Sequence, residues 1–276
     1  MEGSFLTLSG VNPGKRVVIL AGIHGNETCG VEAFGKMSSL KIDSGRVDFI
    51  IGNPRAVAQK VRFAEVNLNR MFRSDESLTE SERASYEYRR SRELIPILTE
   101  ADAVLDIHSS GTPGSPAFVI CEPHSFEIVQ RLPFSTICYN WDAHQPGGTD
   151  YFMNQRGRPG ICIECGYHED ARSIDRAVQS IIAFLTSLNM KPSGVAISTT
   201  EIHQQQRIAM RQQYKTITDF RPARSFHDFE KITAGELLGR DGAATVCAQE
   251  DGVIIFVRER KNPNEEAFLF GKLTAN

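Results

Sequence analysis

Arg16-Val17-Val18-Ile19-Leu20-Ala21-Gly22-Ile23-His24-Gly25-Asn26-Glu27 is the stretch from which the fold can be read. Its first half is an unbroken apolar run headed by Arg16, the pattern of a strand buried on both faces. Its second half is a glycine-flexed loop carrying a histidine and a glutamate three positions apart. Imidazole and carboxylate leaving one strand end together can turn toward one point, which is half of a metal site with an open position. Without a further ligand elsewhere, His24 is an ordinary loop histidine.

Outward from this stretch, strand-like and helix-like segments alternate. The spacing predicts a helix from about Glu27 to Leu40 with Asn26 as its cap, a strand over 46–52 stopped by Asn53-Pro54, and a largely helical Thr79 to Leu98. A strand over 102–107 leads into His108, short strands follow at 117–121 and 134–138, and 160–163 runs apolar into Glu164. Ala171, Ile174, Ala177, Val178, Ile181, Ile182, Leu185 and Leu188 then recur with helical period, giving one apolar face. Such alternation is that of an α/β fold with helices on both faces of a sheet. After Lys191-Pro192-Ser193-Gly194 the segments shorten and turns multiply, so 1–190 reads as the α/β domain and 195–276 as a small β-rich domain.

The composition sets bounds on function. The 276 residues suffice for a large core and at most two domains. A formal net charge of −3 gives no reason to expect nucleic acid or an anionic membrane as partner. The first residues lack the basic and apolar regions of a signal peptide, and no apolar run approaches the ~18–20 residues of a membrane span. Six cysteines in a chain of this length are not a disulfide framework, so a cytoplasmic location is expected.

In open α/β sheets, sites form beyond the carboxyl ends of the strands. Four strand ends here carry useful chemistry: His24 with Glu27, Asn53 with Arg55, His108, and Glu164. Two imidazoles and a carboxylate, His24, His108 and Glu27, are a set that holds one Zn²⁺ and leaves a fourth position for water. Asp106 shares the His108 strand and is placed to orient that imidazole. Glu164 ends an apolar strand, where a carboxylate is costly unless paired or used, so it reads as a general base. Arg55, Lys60, Arg62, Arg70 and Arg73 face a single acid, Glu65, between 55 and 73, which suggests an anionic small-molecule substrate. Of these, Lys60, Arg62 and Arg73 read as solvated loop cations. Cys162 and Cys165 form a CxxC without a second pair, and are taken as small apolar residues flanking Glu164.

Taken in order, Gly22–Glu27, Asn53-Pro54-Arg55, Asn67-Leu68-Asn69-Arg70-Met71-Phe72, Asp106-Ile107-His108 and Ile163-Glu164-Cys165-Gly166 resemble the succinylglutamate desuccinylase/aspartoacylase family, relatives of the zinc carboxypeptidases. Gly148-Thr149-Asp150-Tyr151 resembles the run preceding the catalytic glutamate in those carboxypeptidases, and the C-terminal segments resemble the family's β-domain. The resemblance implies a zinc-carboxypeptidase-like sheet with a small β-rich domain shielding the active site. It further implies Zn²⁺ on His24, Glu27 and His108, Glu164 as base, Arg55 polarising the scissile carbonyl, and Asn69 and Arg70 holding a substrate carboxylate. The implied activity is hydrolysis of the amide of a small anionic N-acyl amino acid carrying two carboxylates, by a chain that acts alone or as a homo-oligomer. Asn67 stands where the family usually has Asp. Lys261 and Glu265 align near positions where aspartoacylase presents Tyr and Lys, and Arg156, Arg158, Arg258 and Lys261 are candidates for the second substrate carboxylate. Two other readings share these residues: a zinc carboxypeptidase acting on peptides, and a non-catalytic carboxylate-binding protein.

Overall fold

The computed structural model describes residues 4–196 and 205–274. Residues 197–204, within the expected β-rich domain 195–276, and the three and two residues at the chain ends lie outside the described part. The chain divides into two compact units, Met1–Ile137 with Pro146–Gln205, and Cys138–Gln145 with Gln206–Asn276.

The first unit is a mixed sheet clad by helices. In chain order it contains β1 (Ser4–Ser9), β2 (Asn12–Ala21), α1 (Cys29–Gly35), β3 (Ser44–Ile51), α2 (Pro54–Gln59), α3 (Glu80–Ala84) and α4 (Tyr86–Glu100). It continues with β4 (Ala103–Ser110), β5 (Phe118–Cys121), α5 (Phe126–Val129), β6 (Thr136–Tyr139, at the boundary with the second unit), α6 (Thr149–Asn154), β7 (Gly160–Tyr167) and α7 (Arg172–Ser187). The strands lie in the order β1-β3-β2-β4-β7-β5. The β3-β2-β4-β7 centre is parallel, and β1 and β5 pair antiparallel at its margins.

Strand period explains the two cores. Along β2 and β4, Val17, Ile19, Ala21, Ala103, Leu105 and Ile107 pack with α1 and α7, among them Phe34 and Ile181. Val18, Leu20 and Val104 face the other way, toward Leu94 and Leu98 of α4 and Phe152 and Met153 of α6. Each fully buried large apolar side chain contributes roughly 1.5–3 kcal/mol. The same alternation sends Asp106 and His108 to the α6 face. Parallel register then sets Cys162 beside Asp106 and Glu164 beside His108.

Several boundaries differ from expectation. β4 and β7 run on past His108 and Glu164, so both groups project from strands rather than from loops. Residues 24–28 form the turn closed by the Glu27 N–H on the His24 carbonyl at 3.1 Å, which delays α1 to Cys29. Ser85 breaks the Thr79–Leu98 helix in two, capping α4 by accepting the Tyr88 N–H at 3.1 Å. β1, not foreseen, pairs with β3 at the sheet margin.

The second unit is antiparallel. β8 (Gln206–Lys215) pairs with β14 (Glu266–Thr274), which pairs with β13 (Gly252–Ile255), and β13 with β10 (Glu230–Ile232). A separate sheet holds β12 (Ala244–Cys247), β11 (Leu237–Asp241) and β9 (Phe220–Pro222). Phe220, Ile232, Leu238, Ile254, Phe268 and Phe270 fill its core, with Tyr214 stacked on Phe268 at 4.9 Å. No described helix is long and apolar enough to cross a membrane.

Candidate active site

Among the described residues, His24, Glu27 and His108 form a buried group whose ligating atoms all lie within 4.8 Å of one another. His24 Nδ1 is 2.8 Å from Glu27 Oε1, His108 Nδ1 is 2.8 Å from Glu27 Oε2, and the two Nδ1 atoms are 3.2 Å apart. Glycine makes this approach possible. Gly22 has φ +66, which L residues rarely adopt, and a Cβ on Gly25 would lie 2.0 Å from the Ala56 carbonyl carbon of α2.

The far side of each imidazole faces an acceptor, within hydrogen-bond geometry for His24 and at ion-pair distance for His108. His24 Nε2 lies 3.0 Å from Asn67 Oδ1, and the Asn69 N–H donates to that same oxygen at 3.0 Å, which identifies it as the amide oxygen. His24 therefore carries its proton on Nε2 and turns the Nδ1 lone pair inward. His108 Nε2 is 3.2 Å from Asp106 Oδ2, which also accepts the Thr149 hydroxyl at 2.5 Å. Two inward-facing Nδ1 atoms and a carboxylate then crowd one point, an arrangement that a shared cation satisfies in exchange for the His108 proton. The donor set, two imidazoles and a carboxylate with acceptors behind both rings, fits Zn²⁺.

The electrostatics of the metal-free cluster differ between its two imidazoles. Burial, only partly offset by Glu27, takes the His24 pKa down to about 4, so its imidazole is neutral at pH 7. Glu27 is held well below the usual carboxylate range: burial acts to raise it, and His24 and His108 outweigh that. For His108 burial acts downward, but Asp106, Cys162 and Glu27 raise it well above the ordinary value. Glu164, adjacent on β7, has its pKa pushed up to about 8, chiefly by burial and next by the charge of Glu27. Its Oε2 is buried without a hydrogen-bond partner. A carboxyl with a pKa near neutrality beside a ligand cluster is suited to taking up and releasing a proton.

The remaining expected residues separate into two sets. Asn69 joins the cluster through Thr149, whose N–H donates to Asn69 Oδ1 at 3.4 Å, and Arg70 is fixed beside it by donating to the Asn69 carbonyl at 2.7 Å. Arg70 also acts on Asp150, whose pKa burial raises to about 6. Arg55 instead donates to Glu65 at 2.7 Å and lies 5.3 Å over the Tyr86 ring. The guanidinium that reaches the ligands is that of Arg62, 2.8 Å from Glu27 Oε1. Arg62, expected from sequence to be a solvated loop cation, is exposed to 43%, yet its guanidinium reaches Glu27, a contact that an irregular stretch has no period to reveal. Arg156 and Arg158 are committed elsewhere: Arg156 stacks 3.5 Å from the Phe152 ring centroid, and Arg158 donates to the carbonyls of Thr99 and Ala101, just before β4 begins. Thr149 and Asn67 also contact the cluster, and in the sequence only their positions within the motifs point to it.

Comparison with known proteins identifies the family of the chain. Residues 13–187 match the family described as the succinylglutamate desuccinylase/aspartoacylase catalytic domain, and the chain belongs to that family. It is 35% identical over 107 residues to an N-acyl-aromatic-L-amino acid amidohydrolase (carboxylate-forming) of Xenopus laevis, covering 36% of this chain and 35% of that protein. It is 28% identical over 171 residues to a probable aspartoacylase of Nostoc sp., covering 56% of each. The chain thus spans between 35% and 56% of the length of these curated relatives. Among solved structures, succinylglutamate desuccinylase from Vibrio cholerae has the same fold, with a TM-score of 0.75 at 19% identity over 94% of this chain and 82% of that one.

Proposed function

We propose that this chain is a zinc-dependent amidohydrolase that cleaves an N-acyl amino acid, most simply one with two carboxylates, to a carboxylate and a free amino acid. The observation that carries the reading is the convergence of His24, Glu27 and His108 on one point with the raised-pKa Glu164 beside them. Bound by these three residues, Zn²⁺ supplies Lewis acidity and brings water within reach of deprotonation near neutral pH. Asn67 and Asp106 hold the two imidazoles in the tautomer and orientation that ligation needs. Glu164 accepts a proton from the attacking water and delivers it to the leaving amine, so the amine departs neutral and the carboxyl returns to its starting form. Arg62 is the cation placed to donate to the oxyanion that develops on the scissile carbonyl, the role the family resemblance gave to Arg55. Asn69 and Arg70 orient the substrate through a carboxylate, as a guanidinium fork suits.

The test is a panel of N-acetyl, N-succinyl and N-aroyl amino acids, with blocked peptides as comparison, read by released amine on zinc-loaded protein. The expected result is turnover of N-acyl amino acids with a free α-carboxylate and little on peptides. Faster release of C-terminal residues from peptides would favour a carboxypeptidase, and a zinc-loaded protein inert on the whole panel would leave a binding protein. Glu164→Ala should keep its zinc and lose at least ~10²-fold in kcat; wild-type turnover in that variant would remove Glu164 from the mechanism.

A further inference from the structure

Glu87, on the first turn of α4, is 0% exposed and has no cation within salt-bridge distance among the described residues. Its carboxylate is satisfied by N–H donors alone. Oε1 accepts the Ala64 N–H at 2.7 Å and the Asn53 side-chain amide at 3.1 Å. Oε2 accepts the N–H groups of Glu65 and Val66, each at 3.2 Å. Three consecutive backbone N–H groups thus wrap one buried anion, an arrangement that fixes the local chain because each donor left unpaired in the interior would be costly.

The pinned residues lie between the groups that reach the ligand cluster. Arg62, two residues before Ala64, contacts Glu27, and Asn67, immediately after Val66, contacts His24. Asn53, the fourth donor, caps α2 by accepting the Ala56 N–H at 3.1 Å and donates its own N–H to the Gly22 carbonyl at 2.9 Å, at the root of the ligand loop. Arg90, one turn further along α4, anchors the helix by donating to the carbonyls of Gly52 and Ile51 at 2.8 and 2.9 Å. α4 therefore offers a carboxylate fixed against the end of β3, and the loop is folded around it.

We infer that Glu87 is a positioning residue: its buried carboxylate sets the conformation of residues 62–67 and so places Arg62 on Glu27 and Asn67 on His24. The inference rests on the proposed reading of Arg62 and Asn67 as groups of the site. Glutamine at position 87 keeps the size but turns an NH₂ toward a backbone donor, so at least one of the loop N–H groups loses its acceptor.

Two measurements on Glu87→Gln test this. Amide hydrogen exchange should lose its protection in the segment around 62–67 while peptides from β2, β4 and β7 keep wild-type rates. Zinc affinity, measured by chelator competition, should fall about 10-fold, as outer partners of metal-bound histidines do when lost. Asn67→Ala should show the same loss, and the double variant should be no weaker than Asn67→Ala alone. Exchange that stays at wild-type rates in the loop, exchange that rises throughout the sheet, or losses that multiply in the double variant would each overturn the inference. A wild-type protein that takes up no zinc would defeat the proposed function, and the exchange measurement would still decide on Glu87. If Glu87→Gln does not fold, Glu87→Asp, which keeps the charge but withdraws it by one methylene, serves the same comparison with a smaller effect.

Discussion

Replacing Arg62 and Arg55 separately by alanine distinguishes the arginine chosen by geometry from the one suggested by motif. Arg62 donates to Glu27 at 2.8 Å with one of its five N–H donors, leaving the others free to meet an oxyanion. After burial and Glu27, Arg62 is among the charges acting on His24, and it is among those acting on Glu164. Loss of one oxyanion donor from a preorganised site costs ~2.7–4 kcal/mol, or ~10²–10³ in kcat. Arg62→Ala should therefore lose that factor with KM within ~3-fold, because the interaction strengthens only as charge develops. The Arg55–Glu65 pair is exposed to 45% and 38%, and a surface pair of this kind contributes ~0–1 kcal/mol to stability; Arg62 is itself exposed to 43%, so what separates the two is its contact with Glu27. Arg55→Ala should thus keep kcat/KM within ~3-fold of wild type. Both variants are assayed as zinc-loaded protein by amine release on the best substrate of the panel, with metal content and thermal midpoint as controls. Equal losses in the two variants, or an Arg62→Ala enzyme within ~3-fold of wild type, would refute the assignment.

His108→Ala removes one of the three converging donors and is expected to abolish stoichiometric zinc; elemental analysis showing one zinc per chain would count against the ligand set. In the second unit, Asp241 accepts the N–H groups of Ile217 and Thr218 and the hydroxyls of Thr218 and Tyr214 at 2.6–3.0 Å. Burial acts to raise its pKa, and those hydrogen bonds bring it down to about 2, below the ordinary 3.8. A depressed acid stabilises above its unfolded pKa, so this contribution is complete at neutral pH and is lost as pH falls from about 4 to about 2. Asp241→Asn should cost about 1–3 kcal/mol at pH 7 and flatten the acid limb of the unfolding curve; an unchanged acid limb would show that Asp241 does not report on folding.

The sequence alone was enough wherever a period or an ordered motif ties residue type to position. The apolar runs in Val17–Ala21 and Ala103–Ile107 mark strands buried on both faces, and the helical period from Ala171 to Leu188 defines the helix covering one of those faces. Because side chains alternate along a strand, Asp106 and His108 share one face, whereas it is the parallel register of the folded sheet that brings Glu164 level with His108. His24, Glu27, His108 and Glu164 could be nominated before any coordinates from their places at strand ends and in ordered motifs. The stretch between Asn53 and Leu78 could not be read this way. It lacks a period, and residues 64–66 take their shape from hydrogen bonds to Glu87, on a helix more than 20 residues further along the chain. That long-range contact decides that Arg62 turns to the ligands while Arg55 pairs with Glu65 at the surface. Local sequence determines which face a strand residue occupies; in an irregular loop, direction is set by whichever distant group satisfies the backbone, and only the tertiary structure brings that group into place.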